Sequence, residues 1–269
     1  MRNTRESPTV GRRVRLDQLL VRRALAPSRE RAQVLILGGA VRVDGERMSR
    51  SADTVNEDSS ITLDAGPRFV SRGGEKLDAA LDELRLDVSG RVALDVGAST
   101  GGFTDCLLQR GAVRVYAVDV GKGQLDWKLR QDPRVVVMEG VNAREGVDLP
   151  ETVDLIVADV SFISLRLVLL PSLRHLRDDG DIVALVKPQF EAGREAVGRG
   201  GIVRDPADRA KAVVSVAEAL AQALVPVIAV VPSRLAGREG NREIFVHARR
   251  GAAALEASAL RDAAERAAQ

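Results

Sequence analysis

The stretch Val92-Ala93-Leu94-Asp95-Val96-Gly97-Ala98-Ser99-Thr100-Gly101-Gly102-Phe103 constrains the chain more than any other. Residues 92–96 are a short apolar run, the pattern of a strand buried on both faces. The run breaks into a turn of small residues, and residues 102–110 then read as a helix closed by Gly111. Strand, glycine-rich turn and helix together bring backbone N–H groups close to a bound ligand.

Downstream the pattern keeps alternating. Strands are predicted at 92–96, 113–118, 135–138, 154–158, 182–187 and 225–231, with a last one at Ile244–Ala248. Helices are predicted at 102–110, 124–130, 165–177 and 205–223, the last with Asp205 as N-cap and Pro206 at its first position. Such alternation predicts an α/β fold, a Rossmann-like, doubly wound, mostly parallel sheet with an antiparallel last strand. Residues 251–269, rich in Ala and Glu, read as a terminal helix.

Upstream the composition shifts. Residues 1–50 hold twelve Arg against five acids, although the whole chain is only +2. A basic first fifth suggests a local footprint for a polyanion. Residues 1–12 are polar and expected to be disordered. Residues 13–66 read as a small α+β module. Leu16, Leu19, Leu20 and Ala24 share one helical face, and Ser28 caps a second helix that ends at Gly38-Gly39. Val41-Arg42-Val43 turns at Asp44-Gly45, and a further strand is expected at Ile61–Leu63. Residues 67–71 read as a linker, and residues 72–250 form the larger domain, opening on a helix that buries Leu77, Ala80, Leu81 and Leu84.

One cysteine and two histidines argue against a disulfide or a transition-metal site. The N-terminus lacks the apolar core of a signal peptide, and no run approaches the ~20 apolar residues of a membrane helix. These readings point to a soluble cytoplasmic protein, expected to be monomeric. Only five Lys stand beside 35 Arg. A Lys at a site therefore stands out, because Lys can lose its proton and Arg effectively cannot.

Three ligand classes compete for the 97–102 turn. A dinucleotide fingerprint wants a second Gly where this chain has Ser99. Gly97-Ala98-Ser99-Thr100-Gly101 is also a literal nucleophile elbow, but its histidine partner would have to be His175, in a predicted helix, or His247, inside the last strand. The third class is S-adenosylmethionine, for which Asp95 and Gly97 end the first strand. Asp119 ends the second and is placed to accept from a ribose. In an open parallel sheet, ligands sit at the carboxyl ends of the strands. Asp95, Asp119, Asp159 and Lys187 each end a predicted strand, and Glu243 opens the antiparallel one on the same edge. A lysine among several acids there is hard to explain by structure alone.

Two resemblances add to this reading. Arg15-Leu16-Asp17, Leu19-Leu20, Ser28-Arg29 with Ala32, and Gly39 through Gly45 resemble the alpha-L RNA-binding domain of the ribosomal S4 type. That implies RNA contacts from Arg15, Arg29, Arg31 and Arg42, with Arg68 in the following segment.

Nearly the whole chain resembles the TlyA family, in which that domain is fused to a methyltransferase domain of FtsJ type. The resemblance rests on Val70-Ser71-Arg72-Gly73 through Lys76-Leu77, Leu94 through Thr104, Asp119 through Leu125, Asp132 through Val135, Val157 through Ser164, and Leu185 through Glu191. It implies a class I methyltransferase domain and 2′-O-methylation of ribose, of cytidine in 16S or 23S ribosomal RNA, by S-adenosylmethionine. It implies a catalytic set of Lys76, Asp159, Lys187 and Glu243. Implied cofactor contacts are Asp95, Gly97, Ala98, Ser99, Thr100, Gly101, Gly102, Phe103, Asp119, Val120, Gly121, Asn142 and Asp159. No metal is required. Lys187 is the candidate base, since a ribose hydroxyl must lose its proton as it attacks. Phe69 stands where the family's interdomain segment has Trp. A non-catalytic RNA-binding protein and a hemolysin-type membrane-active protein are the alternatives, and no membrane-inserting segment supports the second.

Overall fold

A computed structural model describes residues 12–64, 66–237 and 240–269, apart from the Arg194 side chain. The polar tail expected at 1–12 lies, except for Arg12, outside the described residues. The chain divides after Arg68 into two units.

In the first unit, β1 (Arg13–Arg15), α1 (Leu16–Arg22), α2 (Arg29–Leu37), β2 (Val41–Val43), β3 (Glu46–Met48), β4 (Thr54–Asn56) and β5 (Ile61–Leu63) follow one another. β1 pairs with β4, and β2 lies between β3 and β5, all antiparallel. Three of the four residues of the expected helical face are buried: Leu16, Leu19 and Leu20 pack with Ala32, Ile36, Val41, Val43 and Val55, whereas Ala24 falls beyond the end of α1, at positive φ, and is exposed. Ser28 caps α2, its hydroxyl accepting from Arg31 N at 3.2 Å. Asp44 and Gly45 both take positive φ, as a two-residue hairpin requires. β1, β3 and β4 carry too little alternation over three residues to be visible in sequence.

The second unit runs α3 (Arg72–Leu84), β6 (Val92–Val96), α4 (Gly102–Gln109), β7 (Arg114–Asp119), α5 (Trp127–Gln131), β8 (Val135–Glu139), β9 (Val153–Ala158), α6 (Arg166–Ser172), β10 (Leu176–Val186), α7 (Pro188–Glu191), α8 (Pro206–Gln222), β11 (Val227–Pro232), β12 (Ile244–Arg249) and α9 (Ala257–Ala268). Seven strands make one sheet in the order β11-β12-β10-β9-β6-β7-β8. Its pairings are parallel except for β12, which is antiparallel to β10 and β11. Alternate residues serve opposite faces. Leu94, Val96, Ile156 and Ala158 join one apolar cluster with Leu169, Val213 and Ala264. Ala93, Leu155 and Val157 join the other with Leu77, Leu81 and Leu107. Each such side chain is worth roughly 1.5–3 kcal/mol of burial. The two-sided core is why the strands read as continuous apolar runs.

Three expectations shift. Helix 165–177 ends at Ser172, passes through a 3₁₀ turn at Leu173–His175, and gives way to β10 at Leu176, six residues early. The polar run Arg177-Asp178-Asp179-Gly180 hides that strand start. The 124–130 helix is only Trp127–Gln131. Phe69, expected in the linker, is buried in the second unit's core. A Cβ on Gly74 would lie 2.4 Å from its ring carbon, so only glycine lets the ring in.

Candidate active site

The predicted edge forms. β7 ends on Asp119, β9 just before Asp159, β10 just before Lys187, and β12 begins just after Glu243. A cleft of about 820 Å³ opens there, and Lys76, Asp159, Lys187 and Glu243 all line it. Lys76 comes from the first turns of α3, outside the sheet. Its Nζ donates to Glu243 Oε2 at 2.5 Å, with side chains 11% and 3% exposed. Lys187 Nζ lies 2.6 Å from Asp159 Oδ1 and donates to Ser161 Oγ at 2.9 Å. Asp159 Oδ1 is buried and accepts no hydrogen bond, so charge alone holds that pair. Buried pairs are stable only as pairs: removing one partner strands the other's charge.

The glycine turn adjoins this cluster. Gly97 (φ +85) lets the chain pass Asp159, whose carbonyl oxygen would lie 2.8 Å from a Cβ there. Ser99 takes φ +49. Its N–H donates to Asp119 Oδ2 at 2.8 Å, while Gly121 N donates to Asp119 Oδ1 at 2.7 Å. Glu139, at the end of β8, accepts from Gly123 N, Gln124 N and Leu125 N and pairs with Arg130. That hydrogen bond from Arg130, with the backbone donors, holds its carboxyl down at about 2. Gly97, Ala98, Ser99, Thr100, Gly102 and Phe103 line the cleft, whereas Asp95, Gly101, Asp119, Val120, Gly121 and Asn142 are not part of its wall. Asn142 instead caps the 3₁₀ turn Ala143–Glu145, accepting from Arg144 N and donating to Glu145.

Asp95 is fully buried. Thr104 donates to its Oδ2 at 2.7 Å, and Oδ1 has no partner. Burial, with the charges of Asp159 and Asp119 adding, pushes its carboxyl up to about 7. The charges of Asp159 and Asp119 both reach Asp95, so this end of the sheet is acidic and suits a cationic ligand. A sulfonium and an ammonium on one nucleoside, as in S-adenosylmethionine, match that demand.

The hydrolase reading fails on geometry. Ser99 Oγ donates to Gln124 Oε1 at 3.2 Å. His247 pairs with buried Asp181, which also takes Arg91, and His175 Nε2 lies 2.7 Å from Val147 O. Among the described residues, no group of three His, Cys, Asp or Glu is arranged to hold a metal ion, and no helix is long and apolar enough to cross a membrane.

Sequence reasoning assigned no role to Ser161, Phe162, Gln189, Phe190 or Asn241, all in the cleft wall. Phe162 is 91% exposed at φ +65, and Gln189 Oε1 is buried without a partner. Asn241 accepts from Val203 N and donates to Gly201 O, tying two loops. An exposed aromatic beside a strand-end acid was the available signal for Phe162. Nothing local marks Asn241.

In the first unit, Arg15 and Arg29 are engaged by Asp17, and Arg42 by Asp64 at 2.7 Å. Each stays partly exposed. Arg31 is exposed and makes no ion pair among the described residues. Arg68, at the end of the unit, is exposed.

Residues 69–250 match the FtsJ-like methyltransferase family, and residues 14–61 match the S4 domain. The chain is 48% identical to the 16S/23S rRNA (cytidine-2′-O)-methyltransferase TlyA of Mycobacterium tuberculosis, over 96% of this chain and 98% of that one. It is 32% identical to the 23S rRNA (cytidine-2′-O)-methyltransferase TlyA of Campylobacter jejuni, over 84% and 96%. A solved structure described as a hemolysin, from Streptococcus thermophilus, superposes with a TM-score of 0.71 at 38% identity, covering 95% of each chain. The chain belongs to the TlyA family of methyltransferases, with an S4 domain followed by an FtsJ-like methyltransferase domain.

Proposed function

We propose that the chain methylates the ribose 2′-hydroxyl of a cytidine in ribosomal RNA, using S-adenosylmethionine. The observation that carries this is the pair of lysine–carboxylate contacts, Lys76–Glu243 and Lys187–Asp159, lining one cleft beside the glycine turn. The names of the relatives from M. tuberculosis and C. jejuni supply the cytidine and the ribosomal RNA.

S-adenosylmethionine, when bound, supplies a methyl group already activated on a sulfonium. The turn from Gly97 to Phe103 would cradle it, Asp119 would take its ribose, and Asp95 and Asp159 would offset its positive charge. The chain's own task is to place the hydroxyl and remove its proton. Lys187 Nζ is the candidate acceptor of that proton: once its ammonium has released a proton to water, the hydroxyl's O–H bond breaks and an N–H bond forms. Asp159, 2.6 Å away, then stabilises the ammonium, and Ser161 fixes its direction. The Lys76–Glu243 pair lines the same cleft and orients the ribose. Much of the gain is positional, because a well-aligned methyl donor needs little further activation. Phe162 offers a nucleobase a flat apolar face. The S4 unit would hold structured RNA through Arg31, Arg68 and the exposed faces of Arg15, Arg29 and Arg42.

The test is transfer of labelled methyl from S-adenosylmethionine to isolated ribosomal subunits by the full chain. Incorporation into ribosomal RNA is expected. Tight cofactor binding by calorimetry without any transfer would instead favour a binding protein.

A further inference from the structure

Residues 159–165, after β9, and residues 187–191, including α7, are far apart in sequence and joined by three ties. Lys187 reaches Asp159 and Ser161. The Phe162 ring lies 5.1 Å from the Phe190 ring, tilted by 49°. Beyond them, the Glu191 side chain accepts from Ser164 Oγ at 2.6 Å and from Leu165 N at 2.6 Å. The first two ties use groups of the cleft wall. Glu191 is outside that wall and touches none of the proposed reacting groups.

The third tie has a clear physical task. Leu165 stands at the N-cap of α6 and brings no side-chain cap of its own. The first N–H groups of a helix have no partner within it, so Glu191 supplies an acceptor from another element. Partial burial pushes its carboxyl up, and the two bonds and the charge of Arg166 oppose that shift. The loop it holds needs holding. Phe162 is a non-glycine residue in the left-handed region, a conformation that is strained for an L side chain, and its exposed ring gains little burial in return.

We propose that Glu191 is a positioning residue for methyl transfer: by capping Ser164 and Leu165 it holds the 159–165 loop in the strained form that sets Asp159, Ser161 and Phe162 against Lys187. This rests on the methyltransferase reading above. It accounts for a half-buried carboxylate that stands beside the site without lining it.

Glu191→Ala, Ser164→Ala and the double variant, made in the full chain, test it. Single-turnover methyl transfer, calorimetric cofactor binding, thermal melting and amide hydrogen exchange are measured for each. Glu191→Ala is expected to lower the transfer rate by about 10²-fold, the scale of a misplacement near 1 Å, with cofactor affinity and the KM for ribosomal subunits little changed. Leu165 N–H should exchange faster. Ser164→Ala should lose less, and the double variant no more than Glu191→Ala alone. An unchanged transfer rate in Glu191→Ala would overturn the proposal, as would losses that merely track the melting temperature or add across the two sites. A wild-type chain that transfers no methyl would sink the methyltransferase reading itself, a different failure.

Discussion

Asp17 and Asp159 are both carboxylates held against basic side chains, and they differ in what is left over. Asp17 is fully buried in the first unit and takes four donors: Arg15 Nε and Nη2, Arg29 Nε and Gln33 Nε2. The hydrogen bonds from Arg15 lead the causes that hold its carboxyl far below the usual range. Asp159 has one cationic partner, a buried oxygen without a hydrogen bond, and an open cleft in front. A saturated buried acid spends its charge on folding. An unsaturated one beside a cavity retains charge for a ligand or a reaction.

The comparison breaks first at Lys187. Lys187→Ala should reduce single-turnover methyl transfer per folded molecule by about 10²–10⁴-fold, the range for a proton-transfer group, a loss far larger than the drop in melting temperature from leaving Asp159 unpaired accounts for. A full-rate variant would remove the base assignment. Asp17→Ala should do the opposite. It should destabilise the first unit by about 2 kcal/mol, the scale of hydrogen bonds to a charged group, with transfer per folded molecule retained at low temperature. Melting followed by circular dichroism separates the two.

Asp95 gives a pH signature. Its folded value lies above that of a free carboxyl, so its stabilisation is complete below about pH 4 and is lost as pH rises through about 7. The cofactor-free protein should therefore lose stability across that window. Asp95→Asn should flatten the slope, and so should S-adenosylmethionine. A wild-type curve already flat from pH 4 to 7 would show that burial does not load this group.

Among the arginines the expected effects are smallest. Arg31→Ala should weaken RNA binding several-fold and reduce the salt dependence by about one phosphate contact, without lowering the melting temperature. Arg29→Ala should lower both, because Arg29 also serves Asp17. Equal melting losses would erase the distinction between a free and an engaged arginine.

The strand ends were legible in the sequence because geometry leaves them little choice. A parallel strand buried on both faces reads as an apolar run, and its first polar residue falls at the ligand edge, as with Asp119, Asp159 and Lys187. The turn at 97–101 was legible because its glycines stand where positive φ is needed. Contacts between loops left no periodic trace. Asn241 bridging Gly201 and Val203, and Glu191 reaching Leu165, depend on three-dimensional closure alone. Phe69 looked like linker because Pro67 precedes it, and only the missing Cβ of Gly74 shows where its ring goes. Arg15 and Arg29 looked like a free basic face because Asp17, a single acid, was invisible as their common partner.

The central claim is that the cleft's lysine–carboxylate pairs act on a ribose hydroxyl. Nucleoside mass spectrometry of ribosomal RNA from subunits incubated with the full chain and S-adenosylmethionine tests it most directly. At matched times the account predicts 2′-O-methylcytidine with the wild-type chain and at least about 10²-fold less with Lys187→Ala. A methyl group on a base, or 2′-O-methylcytidine formed by Lys187→Ala at the wild-type rate, would contradict it.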